Sequence, residues 1–168
     1  KKEFTPVTRV FLKKGSTLIM ESTQLGGVTY TDRLTTATVG KNARLIVKEK
    51  IMTSGSERAI SRFKVKLTGE NSTADVVSRS VARDESYQSF VSDVVGKNRC
   101  FGHVECDGIL LDRARIISTP KIDAVSPEAS LVHEAAVGKI AGDQLIKLMT
   151  LGLSEKEAED TIIKGFLY

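Results

Sequence analysis

From about residue 8 to about residue 132, the chain is organised by a period of two. Short runs rich in Val, Ile, Leu and Thr recur at 10–12, 17–20, 44–48, 63–67, 74–81 and 109–117. Side chains that alternate in this way lie on opposite faces of an extended backbone, so these runs are expected as β-strands. Turn signals separate them: Lys14-Gly15-Ser16, Gly26-Gly27, Gly40-Lys41-Asn42, Gly55-Ser56, Gly69-Glu70-Asn71 and Gly96-Lys97-Asn98. Strands of about 5–8 residues at a spacing of roughly 10–15 are compatible with a sandwich, a barrel or a parallel β-helix. The Gly-Lys-Asn turn recurs at 40 and 96, which suits stacked coils without excluding the other two. A short last strand over 121–126 is expected between Pro120 and Pro127.

After His133 the period changes. Asp143, Leu145, Ile146, Leu148 and Met149 describe a short amphipathic helix that stops near Gly152. Ser154 and Glu157 have the spacing of a capping box, which opens a second helix with Ala158, Ile162 and Phe166 on one face. Acids in the first turn and Lys164 near the end suit the helix dipole.

Composition narrows the function classes. With 168 residues, 40% hydrophobic and 27% charged, the chain can bury a core and is neither disordered nor membranous. No apolar run approaches the ~20 residues of a spanning helix. Two cysteines, Cys100 and Cys106, make no disulfide framework, so a reduced, cytoplasmic protein is expected. The net charge of +4 invites a nucleic-acid partner, but Arg62-Phe63-Lys64-Val65-Lys66-Leu67 alternates as an exposed sheet face does, and aromatics are only 5%. No nucleic-acid role is expected. The Gly-Lys pairs at 40, 96 and 138 have Thr35, Val91 and His133 where a Walker A loop needs Gly. His133-Glu134 does not extend to H-E-x-x-H, because position 137 is Val, and G-x-S-x-G is absent. Scattered acids do not form the paired carboxylates of a glycosidase. No enzyme activity is expected.

The tail carries an ordered set of short elements: His133-Glu134-Ala135, Gly138-Lys139-Ile140, Asp143-Gln144-Leu145, Gly152-Leu153, the acidic stretch 155–159, and Gly165-Phe166. This set resembles the C-terminal part of the SufB/SufD family, the scaffold subunits of the Suf iron–sulfur cluster assembly machine. The resemblance covers residues 40–168 and is fullest over 96–168. It implies a right-handed parallel β-helix followed by a short C-terminal α-helical segment, divided at 1–134 and 135–168. Typical members are longer at both ends, so a piece of a longer protein is expected.

The resemblance also implies a function and its residues. Cys106, followed by Asp107 and an aliphatic strand, is similar to the SufB cysteine that holds nascent cluster, and thiolate is the usual cluster ligand. His133 matches the histidine of both SufB and SufD. Glu134 follows SufB, where SufD has Gly, whereas Val132 replaces a SufB glutamate. Cys106, His133 and Glu134 are therefore the expected ligands of a transient iron–sulfur cluster. Cys106 and His133 are 27 residues apart, and a β-helix coil of roughly 20–25 residues sets them about one rung apart. Cys100 and His103 are expected to be structural, because 103 and 106 face opposite ways and Cys100 is six residues away. The implied partners are a SufC-type ABC ATPase and a second SufB/SufD-type subunit in a homodimer. A cysteine desulfurase or sulfur carrier would supply sulfur. The ATPase is expected to dock on Asp143, Gln144, Leu145, Leu148, Leu153, Ala158 and Ile162.

Overall fold

The computed structural model describes residues 2–168. Among the described residues, eleven strands precede two helices. The strands are β1 (Glu3–Phe4), β2 (Val7–Leu12), β3 (Thr17–Leu25), β4 (Tyr30–Val39), β5 (Arg44–Thr53), β6 (Arg58–Leu67), β7 (Ser72–Ala82), β8 (Tyr87–Gly96), β9 (Cys100–Leu110), β10 (Arg115–Ala124) and β11 (Ala129–Gly138). The helices are α1 (Gly142–Thr150) and α2 (Glu155–Leu167). Every strand pairing is parallel. Sheet A takes β1 and β2 alongside β4, then β6, β8 and β10, and sheet B runs β3, β5, β7, β9, β11. The chain therefore winds as a parallel β-helix of about five coils.

Register gives the coil length. Tyr30 pairs with Arg58 and Arg58 with Tyr87, while Cys100 pairs with Ala129. The first coil is offset by 27 residues from the next, as Thr17 pairs with Arg44, and the later ones by 28 or 29, all more than the rung length expected from sequence. The physical reason is strand length. Most coils spend ten residues or more on each sheet, against the shorter strands expected from the apolar runs.

The corners explain the turn signals. Asn42 and Asn71 hold φ of 53° and 55° at successive corners on one side, above Gly15 at 72°. The Asn42 N–H donates to the Glu70 carbonyl at 2.9 Å and the Asn71 N–H to Arg99 at 2.7 Å, which ties each corner to the next. On the other side Gly55, Asp84 and Asp112 take the left-handed position. The Gly55 N–H donates to the Asp84 carboxylate at 2.7 Å, and the Asp84 N–H to Asp112 at 3.0 Å. Asn and Asp tolerate left-handed geometry and cap neighbouring N–H groups, so a corner needs no glycine. This corrects one sequence expectation: the apolar run 109–117 is broken at residues 111–114, where Asp112 turns the chain between β9 and β10. A second correction concerns the proline-bracketed strand. β10 runs through Pro120, which an edge strand tolerates because its N–H would bond outward.

Inner faces pack Val39, Val47, Phe63, Leu67, Val76 and Val104 into one core, with the Phe63 and Phe90 rings 5.8 Å apart. Helix α2 lies against the outside of sheet B, and α1 packs against α2. Ile163 and Leu167 of α2 pack on Val81, with Met52, Ile109, Leu111 and Ile140 around them. Arg79 donates to the Phe166 carbonyl at 3.2 Å, and Arg83 pairs with Glu159. The Ser154/Glu157 capping box is present at the start of α2. The buried side of α2 is carried by Ala158, Ile163 and Leu167, with Ile162 only partly covered. α1 buries no residue and leaves Ile146 63% exposed. No helix among the described residues is long and apolar enough to cross a membrane.

Candidate functional site

The site lies in the last two coils of sheet B, where β9 and β11 pair in register. Alternation along β9 turns Cys100, Gly102, Val104, Cys106 and Gly108 inward and His103, Glu105 and Asp107 outward. Cys106 stands opposite Ala135, and His133 opposite Val104. Cys106 and His133 therefore share the inner face on adjacent strands, displaced diagonally by two positions. Strand spacing and rise put their Cα atoms on the order of 8 Å apart. Glu134 belongs to the outward set, paired with Glu105. The structure thus brings together Cys106 and His133 and places Glu134 on the opposite side of the sheet.

The two inward groups are held uncharged. Burial pushes the Cys106 thiol up; Ser118 from the facing sheet opposes this, while the charges of Asp107 and Glu49 add to it. The Cys106 side chain is wholly inaccessible and reduced. Burial pushes the His133 imidazole down, and His103 reinforces the shift. His133 Nε2 is buried without a hydrogen-bond partner. A neutral imidazole with an unused ring nitrogen is the metal-binding form. Cys100 is also buried, with its thiol raised by burial.

Residues not singled out in the sequence complete the surroundings. On sheet B, Ser22, Glu49, Ser78 and Cys106 occupy one inner row across four coils. The Glu49 carboxylate is fully buried and accepts hydrogen bonds from Ser61 at 2.7 Å and Ser78 at 3.1 Å. Arg33 lies 3.5 Å from it and donates to Ser22 at 2.7 Å. Burial raises the Glu49 carboxyl, opposed by the Ser61 hydrogen bond, the Arg33 charge and the Ser78 hydrogen bond. The signal for this row was the coil offset, which relates 49 to 78 and 78 to 106.

On the outer face, His103 bridges two carboxylates. Its Nδ1 is 2.8 Å from Asp75, and its Nε2 is 3.9 Å from Glu134. The hydrogen bond to Asp75 raises its pKa against burial, helped by the charges of Asp75, Glu134 and Glu105. His103 therefore ties β7, β9 and β11 together. Burial and the neighbouring Asp107 raise the Glu105 carboxyl. Among the described residues, no group of three or more His, Cys, Asp or Glu side chains is arranged to hold a metal ion.

The expected docking residues divide by exposure. Asp143 and Gln144 are exposed, Leu145, Leu148, Leu153 and Ile162 are partly covered, and Ala158 is fully buried within the chain. Ala158 therefore supports α2 from inside, and the accessible apolar groups nearby are Ile146, Met149 and Leu151.

Comparison with known proteins covers nearly the whole chain. Residues 5–166 match the family described as SUF system FeS cluster assembly, SufBD core domain. An iron–sulfur cluster assembly SufBD family protein of Archaeoglobus fulgidus is 32% identical over 98% of this chain and 45% of its own length. One from Pyrococcus horikoshii is 41% identical over 60% of this chain and 23% of its own length. A Mycobacterium bovis relative is 35% identical over 58% of this chain and 12% of its own. The chain spans less than half the length of these relatives. The family match begins at residue 5, well before residue 40.

Proposed function

The chain belongs to the SufBD family of iron–sulfur cluster assembly proteins, and from that premise we propose that it is a non-catalytic scaffold unit that receives nascent cluster as cargo at Cys106 and His133. The supporting observation is the pairing of these two side chains on one inner face, with His133 Nε2 unsatisfied. Cluster iron is held by thiolate in most sites and by imidazole in some. Iron binding would displace the Cys106 proton, because the thiolate is the ligand form. Two protein ligands leave iron coordination incomplete, so sulfide and a second subunit supply the rest. The outer edges of β10 and β11 are unpaired among the described residues, and an unpaired parallel edge invites a second copy. Glu134, on the opposite face with His103, would meet incoming ferrous iron rather than sulfide-rich cluster, since carboxylate is the harder ligand.

A SufC-type ATPase would dock on α1 and α2 through the half-covered Leu145, Leu148 and Leu153. Its ATP-driven movement would open the coil end and admit iron and sulfur to a thiol that is otherwise sealed. A cysteine desulfurase or sulfur carrier would deliver the sulfur, in a reducing cytoplasm that keeps both thiols free. Complete burial of Cys106, with its thiol held protonated, favours a second reading: a SufD-like partner subunit that binds the ATPase and carries no cluster. Anaerobic reconstitution of the full-length protein with ferrous iron and sulfide decides between them. The scaffold reading expects charge-transfer absorption that Cys106→Ala abolishes and Cys100→Ala leaves intact. Absence of cluster from wild type and Cys106→Ala alike would leave the partner-subunit reading, and an equal, substantial yield from both would remove Cys106 as the ligand.

A further inference from the structure

The outer face of sheet A carries a charge pattern that cluster assembly at the coil end does not use. At the start of its strands, Tyr30, Arg58, Tyr87 and Arg115 stand in one row across four consecutive coils. The Arg58 guanidinium lies over the Tyr87 ring, 4.8 Å from its centroid. Both arginines are exposed, and neither has a carboxylate partner among the described residues. Lower on the same face, Arg9, Lys64, Lys66 and Lys121 are also exposed, while Arg62 is paired with Asp32. Seven cations on this face meet four acids, Glu3, Asp32, Asp93 and Asp123, so the face holds +3 of the chain's +4. Sheet B's outer face is the reverse, with Glu21, Asp75, Glu105, Asp107 and Glu134 against four cations. The corner acids beside the row are engaged: Glu57 accepts from the Gly27 and Ser54 N–H groups, Asp84 from Gly55, and Glu85 from Arg113.

We propose that the outer face of sheet A is a docking surface for an acidic protein segment, gripped by Arg58 and Arg115. Stacking on a phenol ring fixes the plane of a guanidinium and leaves its N–H edge for a carboxylate, the bidentate geometry that arginine offers and lysine does not. Tyr87 stands between Arg58 and Arg115 in the row and serves as the shelf for Arg58, with Arg115 one strand further along. The same stacking disfavours single-stranded nucleic acid, whose bases need free ring faces. The lysines further along the strands extend the positive field and speed encounter. No helix covers this face, since α2 packs on Val81 of sheet B.

The test is anisotropy of a short labelled polyglutamate peptide titrated with the full-length protein. Wild type should bind, with affinity falling steeply as salt is raised. Arg58→Glu with Arg115→Glu should weaken binding by about tenfold or more, whereas Lys48→Glu with Lys50→Glu, on sheet B, should change it by less than about twofold. Arg58→Lys with Arg115→Lys keeps the charge and places the least demand on the fold. It should still weaken binding about threefold, through loss of the planar fork. Absence of binding by wild type would overturn the proposal. So would unchanged affinity in folded Arg58→Glu/Arg115→Glu protein, or tighter binding of a single-stranded oligonucleotide of equal charge.

Discussion

The most consequential side chain that the sequence reading passed over is Glu49. A carboxylate sealed inside a β-helix is tolerable only because Ser61, Ser78 and Arg33 replace its lost water. Removing one member of such a set strands the others. Glu49→Ala should therefore cost about 3 kcal/mol, because it strands the buried Ser61 and Ser78 hydroxyls and leaves the largely covered Arg33 charge without its partner. Glu49→Gln preserves volume and an acceptor for the serines, so its loss should be clearly smaller. Urea unfolding midpoints of the two variants check this, and a Glu49→Ala change within about 0.5 kcal/mol of wild type, the range of an ordinary surface substitution, would refute the assignment. His133→Ala differs in kind. The imidazole is held neutral and its buried Nε2 makes no hydrogen bond, so its removal should reduce cluster retention while moving the unfolding midpoint little. A large loss of stability with unchanged cluster binding would make His133 structural.

At the scale of the element, coils and caps carry separate predictions. Gly69 sits at a corner where a Cβ would collide with the backbone at Gly40 and Lys41 of the preceding coil. Backbone cannot swing aside as a flexible side chain does. Gly69→Ala should cost about 1–3 kcal/mol, the usual range for forced overpacking. Gly138→Ala, with nothing within 4 Å of the added carbon, is the matched control. In α2, the Glu157 carboxylate accepts from the Ser154 hydroxyl and N–H, which hold its pKa below the ordinary glutamate range. A depressed folded pKa means the cap is present above the unfolded value, near 4.3 for glutamate. It is lost as pH falls through the folded value. Protection factors at the first turn of α2, referred to the intrinsic exchange rate, should fall once the pH drops below about 4, and Glu157→Gln should flatten that response. Identical pH dependence in both proteins would remove the capping box from the explanation.

For the whole molecule, the helices and the β-helix are joined through a small contact. α2 meets sheet B through Ile163 and Leu167 on Val81, and through the Arg79 and Arg83 interactions. Parallel coils are otherwise stabilised by their nearest neighbours, so loss of the helices should be felt mainly beside Val81. Truncation after Ile140 should lower the unfolding temperature modestly, preserve the β-rich circular dichroism, and eliminate capture of a SufC-type ATPase. Capture of the ATPase by the truncated protein would move the docking surface off the helices.

The sequence by itself determined the β-rich period, most of the corners, both helices with the Ser154/Glu157 cap, and the family. These are local properties: alternation fixes which way side chains point, and Asn or Gly at a turn fixes backbone sign. It also determined that His103 and Cys106 face opposite ways, which follows from parity within one strand. Coil length and everything that depends on it were decided by the tertiary structure. Asp112 makes a corner that no glycine announces, because its carboxylate caps the Asp84 N–H one coil away. An offset of 28 or 29 residues rather than one near 25 puts Cys106 beside Ser78 and Ala135 and leaves His133 on the diagonal. It also divides Glu134 from the pair, since neighbouring residues on a strand cannot share a face. Such adjacency belongs to residues a full coil apart, and only the stacking of complete coils reveals which ones meet.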